Sequence, residues 1–134
     1  MLLGLGVDMV EVGRVKKALE RWGERFLNRV FTSGERRYCL RKAFPEQSFA
    51  ARFAAKEAVL KAMGTGLSGG IGWKDVEIVN NTSGKPEVSV GKKITERIGD
   101  KKILVSISHT KEFAIAYAIL IEGEDLKRPE PNLS

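Results

Sequence analysis

The chain has 134 residues, 43% of them hydrophobic and 30% charged, which is the balance of one ordinary soluble globular domain. No run of 18 apolar residues is present, so a transmembrane helix is not expected, and MLLGLGVDMVEVGRV lacks the basic start of a signal peptide. Lys and Arg outnumber Asp and Glu by 23 to 17, and this +6 charge favours an acidic partner: nucleic acid, an anionic membrane, a phosphorylated small molecule or an acidic protein.

The N-terminal part of the sequence predicts a strand followed by a helix. Apolar residues alternate over 2–8, which is typical of a strand, and its two glycines permit another backbone to approach closely; Asp8 is expected to close it. Helical spacing of apolar residues over 11–30 then predicts one helix. That helix has a more basic side, formed by Arg14, Lys17, Arg21, Arg25 and Arg29.

A second helical region follows. Thr32 or Ser33 can cap a short helix. Pro45 separates it from a helix predicted over 46–63, where phenylalanine, leucine and methionine gather on one face and alanines on the opposite face. A helix that is apolar on two faces is expected to be packed on both.

Four charges interrupt this apolar helix: Arg52, Lys56, Glu57 and Lys61. Unpaired charges are costly to bury, so they need partners or a ligand. The simplest interpretation of the helix alone is a Glu57–Lys61 ion pair one turn apart on a half-exposed surface. Lys56 has no assigned role.

The rest of the chain predicts a glycine-rich loop, two hairpins and a tail. The loop holds five glycines between Gly64 and Gly72. Strands at 76–79 and 87–90 flank the turn cluster NNTSGKP, residues 91–99 form a short helix, and strands at 103–108 and 113–122 are joined by HTKE. We therefore expect one domain over 1–122 and a disordered tail over 123–134.

Asp8 and Glu57 are candidate ligands for a metal ion. Mg²⁺ is commonly held by one or two protein carboxylates together with phosphate oxygens of a substrate, and Lys61 could contact the same phosphate. No spacing rule brings the two carboxylates together, so this point stays open. His109 is the only histidine, and the single Cys39 excludes an intrachain disulfide and fits a reducing compartment, the cytoplasm.

Three blocks of sequence resemble one family. GLGVDMVEVGRV, RFAAKEAVLKAMGTG and SISHTKEFAIAYAI are similar to segments of the holo-[acyl-carrier-protein] synthases, the small bacterial 4′-phosphopantetheinyl transferases. The resemblance runs over residues 2–121. It implies an α+β fold in which a small antiparallel sheet packs with helices, and a trimer with active sites at subunit interfaces.

The resemblance also implies a reaction and its site residues. The 4′-phosphopantetheine arm of coenzyme A would pass to a serine of apo acyl carrier protein, with Mg²⁺ as cofactor and adenosine 3′,5′-bisphosphate as by-product, in support of fatty acid biosynthesis. Asp8 and Glu57 match the Mg²⁺ ligands, and Lys61 matches the lysine at the pyrophosphate. The residues that match positions near the nucleotide, where they would help hold its 3′-phosphate, are Arg52, His109 and Thr110. Gly64, Thr65 and Gly66 match the loop beside the coenzyme, and Gly84, Lys85 and Pro86 resemble the turn that borders its adenosine end.

Two further expectations concern the carrier protein. Its serine would attack the β-phosphorus in line, and the base is a water on the metal or on Glu57, or alternatively His109. Because the carrier is acidic, the predicted docking surface is the basic side formed by Arg14, Lys17, Arg21 and Arg25. A solvated basic face is the plainer interpretation of these charges. The rival functions are a nucleic-acid-binding module, which would leave Asp8 and Glu57 without a role, and a phosphate-binding regulator without catalysis.

Overall fold

The computed structural model describes residues 1–123, so the predicted tail lies outside the described residues apart from Gly123. The helices are α1 (Val12–Trp22), α2 (Glu24–Val30), α3 (Ser33–Leu40), α4 (Pro45–Met63) and α5 (Lys92–Ile98). The strands are β1 (Leu2–Glu11), β2 (Val76–Asn80), β3 (Pro86–Val90), β4 (Lys102–His109) and β5 (Phe113–Ile121). A single 3₁₀ turn, Trp73–Asp75, precedes β2.

The main sheet is antiparallel, with β5 between β1 and β4. In its register Asp8 lies opposite Ala116 on one side of β5, and His109 lies opposite Ala114 on the other. Strands β2 and β3 form a separate two-stranded hairpin. The α+β prediction of a small antiparallel sheet packed with helices is confirmed, as are both hairpins.

Helix α4 is the centre of the molecule and is buried on most sides. Its alanines reach the sheet: Ala54, Ala55 and Ala58 have no exposed surface, and Phe49 and Leu60 are also buried. The prediction that this helix packs on two faces is therefore confirmed. Apolar residues occupy most sides of the helix, so its charges have no broad solvent face on which to gather.

Two glycines of β1 bring α4 into backbone contact with the sheet. A Cβ atom placed on Gly6 would lie 2.0 Å from the carbonyl oxygen of Ala58, and one on Gly4 would lie 2.0 Å from that of Ala62. No side chain fits at either position, so the glycines set the distance between β1 and α4. The close approach predicted from the sequence is confirmed.

Two predicted boundaries are wrong. Strand β1 does not close at Asp8 but continues to Glu11, because its pairing with β5 runs on to Phe113. The helix predicted over 11–30 is two helices, broken at Gly23, where φ is +49° and ψ is −122°. That positive φ suits glycine, and it ends the run of helical hydrogen bonds after Trp22.

Helix α3 begins as predicted and buries the only cysteine. The Thr32 side chain accepts from the backbone N–H of Glu35, whose carboxylate accepts in turn from the N–H of Thr32, and this forms a capping box. Cys39 on the same helix is fully buried, and burial raises the pKa of its thiol to about 12. Over residues 1–123, no helix has the length and apolar character needed to cross a membrane.

Candidate functional site

Asp8 and Lys61 meet where β1 crosses α4. The Nζ atom of Lys61 lies 3.0 Å from Oδ1 of Asp8 and donates a second hydrogen bond, also 3.0 Å, to the carbonyl oxygen of Val7. The Asp8 side chain is 15% exposed and that of Lys61 is 51% exposed. Within the described chain the ion pair of Lys61 is therefore with Asp8 and not with Glu57, which differs from the simplest interpretation of the helix alone.

Glu57 completes this group, which we call the carboxylate cluster: Asp8, Glu57 and Lys61. Burial raises the pKa of the Glu57 carboxyl, the nearby Asp8 carboxylate raises it further, and Lys61 partly opposes both effects. The chain thus holds two carboxylates close together with incomplete charge compensation. A divalent cation between them would relieve that repulsion.

Two cavities open on the carboxylate cluster. One of about 430 Å³ is lined by Asp8 and Glu57 together with Arg14, Phe26 and Phe53. The other, of about 480 Å³, extends from Glu57 and Lys61 to the glycine-rich loop, where Gly64 and Gly66 line it. A phosphate-bearing ligand can therefore reach the cluster from either side of Glu57.

The donor set fits Mg²⁺ with help from a ligand and does not fit a closed metal site. Among residues 1–123, no group of three or more His, Cys, Asp and Glu side chains is close enough to hold a metal ion. Two carboxylates and an open cavity suit a hard cation that completes its shell with water and phosphate oxygens.

Arg52 lies apart from the carboxylate cluster, on another side of α4. Its side chain is 5% exposed. It donates from Nη2 to Oδ1 of Asn80, and its guanidinium carbon sits 4.0 Å over the ring of Tyr38. Its Nε atom is buried and has no partner among the described residues. The pocket at this point, of about 400 Å³, also has Arg37 and Glu77 in its lining.

Asn80 connects Arg52 to the turn at 84–86. The Asn80 amide donates to the carbonyl oxygen of Gly84 at 2.8 Å, while its own oxygen accepts from Arg52. The structure therefore brings Arg52 and the turn formed by Gly84, Lys85 and Pro86 into one region. Lys85 is exposed at the tip of this turn.

His109 and Thr110 lie in a third place, at the tight turn between β4 and β5. His109 is exposed, and in the sheet it is separated from Asp8 by β5, a gap of two strand spacings or about 10 Å. The Thr110 hydroxyl accepts from the backbone N–H groups of Glu112 and Phe113, at 3.3 and 3.1 Å. One chain does not bring these residues to its own carboxylate cluster.

The predicted docking residues all lie on one exposed surface. Arg14, Lys17 and Arg21 belong to α1 and Arg25 to α2, and each is exposed. Arg21 and Arg25 lie 4.8 and 5.7 Å from the ring of Trp22. Arg14 also lines the cavity that holds Asp8 and Glu57, so the basic surface runs directly into the carboxylate cluster.

Sequence reasoning missed the partners of the buried cations. Tyr38, Asn80 and Glu35 were not singled out, although they contact Arg52 and Lys56. Asn80 stands at the start of the NNTSGKP turn cluster, which was the one available signal. Nothing in the spacing of Glu35 or Tyr38 indicates a contact with a helix that begins several residues later.

Comparisons with known proteins show which family the chain resembles. The sequence profile of the 4′-phosphopantetheinyl transferase superfamily matches residues 4–118. A holo-[acyl-carrier-protein] synthase of Protochlamydia amoebophila is 50% identical over 119 residues, which cover 89% of this chain and 98% of that protein.

Solved structures give the same result. The holo-[acyl-carrier-protein] synthase of Neisseria meningitidis superposes with a TM-score of 0.83 at 30% identity, covering 91% of this chain and 100% of that one. The Bacillus anthracis synthase, solved in complex with CoA (3′,5′-ADP), gives a TM-score of 0.77 at 34% identity, covering 91% and 98%.

Proposed function

The chain belongs to the 4′-phosphopantetheinyl transferase superfamily, and we propose that it transfers the 4′-phosphopantetheine arm of coenzyme A to a serine of apo acyl carrier protein, releasing adenosine 3′,5′-bisphosphate. The observation that carries the proposal is the carboxylate cluster, which brings Asp8, Glu57 and Lys61 together from two distant segments. Phosphoryl transfer needs such a group, because its transition state is stabilised mainly by charge and position.

The chain's own residues would bind and orient the pyrophosphate. Asp8 and Glu57 would hold Mg²⁺, which when bound supplies positive charge beside the phosphate oxygens. Lys61, half-exposed and already aligned by Asp8 and the Val7 carbonyl, would donate to the same phosphate as a point charge. The carrier serine would then meet the β-phosphorus in line, since both partners are held in place.

Glu57 is our candidate for receiving the serine proton, through a water molecule. Its position supports this role, because Glu57 lines both cavities that open on the cluster, and a water held by it would lie beside the bound ligand. His109 is the alternative. Since His109 lies across β5 from Asp8, it could act only at the carboxylate cluster of another copy.

We propose that this other copy belongs to a homotrimer. The face of the main sheet turned away from α4 is apolar and exposed: Leu5 is 60% exposed, Met9 64% and Tyr117 50%. Contiguous exposed apolar surface of this kind favours a protein interface. Association through this face would also explain why Arg52, the 84–86 turn and His109 lie away from the carboxylate cluster, since a neighbouring copy could bring them to it.

The carrier protein would dock on the basic surface beside the cluster. Arg14, Lys17, Arg21 and Arg25 are exposed on α1 and α2, and the surface ends at Asp8. An acidic carrier would be steered there by charge. We further propose that the protein works in the cytoplasm, in fatty acid biosynthesis, where a buried free thiol such as Cys39 stays reduced.

Intact-mass spectrometry tests the proposal directly. Apo acyl carrier protein incubated with the chain, coenzyme A and Mg²⁺ should gain the mass of one phosphopantetheine group, and adenosine 3′,5′-bisphosphate should appear in equal amount. A carrier whose serine is replaced by alanine is the matched control. No mass gain on the intact carrier would refute the transferase function.

A further inference from the structure

Lys56 neighbours Glu57 in sequence but points elsewhere. Successive helical residues are turned by about 100°, and Lys56 faces α3 and β2, whereas Glu57 faces β1. Its side chain has no exposed surface, and its Nζ atom donates to Oε1 of Glu35, which is equally buried. A buried ion pair is a weak contributor to stability when compared with apolar packing, so its presence calls for another reason.

Glu35 ties three elements together. Oε1 accepts from Lys56 on α4 and, at 2.9 Å, from the backbone N–H of Thr32 at the start of α3. Oε2 accepts at 2.9 Å from the backbone N–H of Ile78 in β2. We call Lys56, Glu35 and Ile78 the inner layer.

A second set of contacts joins the same three elements one step further out. Arg52 lies one helical turn before Lys56 on α4, Tyr38 lies one turn after Glu35 on α3, and Asn80 lies two residues after Ile78 on β2. Arg52 stacks on Tyr38 and bonds to Asn80. We call Arg52, Tyr38 and Asn80 the outer layer.

The two layers depend on the same separation of α3 and β2 from α4. The inner layer fixes how far α3 and β2 stand from α4, and the outer layer can hold Arg52 in place only at that separation. The carboxylate cluster does not depend on it, because Gly4 and Gly6 set that part of α4 against β1. Loss of the inner layer would therefore disturb the binding of one end of the proposed ligand and leave the binding of its other end, at the carboxylate cluster, unchanged.

We infer that Lys56 and Glu35 are positioning residues that hold Arg52 and the 84–86 turn in register for the nucleotide end of coenzyme A. This inference rests on the proposed function, and it assigns Lys56 to substrate affinity and not to the chemical step. Neither residue contacts the substrate. Both act through Arg52 and Asn80.

The test compares KM and kcat in variants of the full chain. Lys56→Met should raise the KM for coenzyme A and the Kd for adenosine 3′,5′-bisphosphate about tenfold, within the range seen when one member of a polar network is removed. The kcat should change much less. Lys56→Met leaves the Glu35 carboxylate buried without its cation, so the double variant Lys56→Met/Glu35→Gln removes both charges. The amide at position 35 has one acceptor oxygen and keeps one of the two backbone hydrogen bonds from Thr32 and Ile78, so circular dichroism checks that this variant folds. It should show the same rise in KM and Kd with a much smaller change in kcat.

Val105→Ala is the matched control. Val105 is buried on β4, and the sheet packs on the side of α4 opposite Lys56. This variant should lose stability and keep the KM and the nucleotide Kd of the parent. Unchanged KM and Kd in the double variant, or a fall confined to kcat, would overturn the positioning role. A parent chain that neither binds the bisphosphate nor transfers the arm would overturn the proposed function itself, and this inference with it.

Discussion

At the scale of single residues, the charges of α4 separate into two kinds. Lys56 and Arg52 are buried and engaged with α3 and β2, while Glu57 and Lys61 open onto cavities beside Asp8. One helix therefore carries an internal polar framework and a reactive surface side by side. Only contacts, and not the order of charges along the sequence, tell the two apart.

Neutralising Glu57 should abolish turnover and stabilise the metal-free protein. Glu57→Gln is expected to lower transfer by at least about 10²-fold, since charge stabilisation by a held metal ion is worth several kcal/mol. Burial and Asp8 raise the pKa of Glu57, so folding favours its protonated form. The stability this gives is full below the unfolded pKa and is lost as pH rises through the folded pKa.

Thermal unfolding without divalent ions tests the predicted stabilisation of the metal-free protein. Glu57→Gln should melt above the parent at neutral pH, and the difference should shrink as the pH falls through the folded-state pKa of Glu57, because the parent then becomes neutral at this position too. Adding Mg²⁺ should raise the melting temperature of the parent and not of the variant. Glu96→Gln, which removes an exposed carboxyl on α5, is the control. A Glu57→Gln variant that melts below the parent at neutral pH would contradict the prediction.

At the scale of elements, the contact between β1 and α4 decides where the site forms. Gly4 and Gly6 let the two backbones touch, and this brings Asp8 beside Lys61. The sequence suggested the close approach because two glycines interrupt an apolar strand. It could not show that α4 was the partner, since contacts between distant segments leave no local pattern.

Gly6→Ala should separate these elements. Its Cβ would lie 2.0 Å from the Ala58 carbonyl oxygen, so β1 must shift, at a cost of several kcal/mol in the free energy of unfolding. Gly13→Ala is a matched control, because a Cβ there meets open space in α1, and it should add roughly 0.5–1 kcal/mol of stability. Denaturant unfolding measures both; a mild effect at Gly6 would show that the two backbones can move apart easily.

The boundaries show what local pattern can and cannot reveal. The hairpins and α4 were predictable because period and turn residues determine them locally. Gly23 was not recognised as a break, because apolar spacing continues on both sides of it from Leu19 to Phe26. The position of Asp8 within β1, and not at its end, follows from pairing with β5, which only the whole fold supplies.

At the scale of the whole molecule, two surfaces await partners: the apolar sheet face and the basic surface of α1 and α2. The resemblance of three sequence blocks named the residues of the candidate site, and the structure brings Asp8 and Lys61 of that set into contact. The sequence did not reveal that these residues lie in separate regions of one chain. Arg52 and Glu57 stand five residues apart on one helix, and they differ only in which neighbours surround them.

A charge on the sheet face should prevent assembly of the proposed homotrimer. Tyr117→Asp places a carboxylate among exposed apolar side chains, so the mass by size exclusion with light scattering should fall to that of one chain. Activity should fall with it, since the proposed site draws residues from a neighbour. Leu40→Asp introduces the same charge at an exposed apolar residue on α3 and should leave both properties unchanged. A Tyr117 variant that remains assembled would argue against this interface.

Charge reversal on the basic surface should weaken use of the carrier alone. Lys17→Glu is expected to raise the KM for acyl carrier protein several-fold and to flatten its dependence on salt, with the KM for coenzyme A unchanged. Lys92→Glu, an equally exposed lysine on α5, is the control. Steady-state kinetics at two salt concentrations measure the effect. If Lys17→Glu and Lys92→Glu change the KM for acyl carrier protein equally, the effect comes from net charge, and the predicted docking surface is wrong.

Cys39 is a natural probe of local unfolding in this protein. It is the only thiol in the chain, it is fully buried on α3, and with a pKa of about 12 it carries almost no thiolate in the folded state. An alkylating reagent can therefore modify the chain only when Cys39 leaves the core. The rate of alkylation reports the rate of that opening when alkylation is faster than reclosing, and the open fraction when it is slower, without any engineered label.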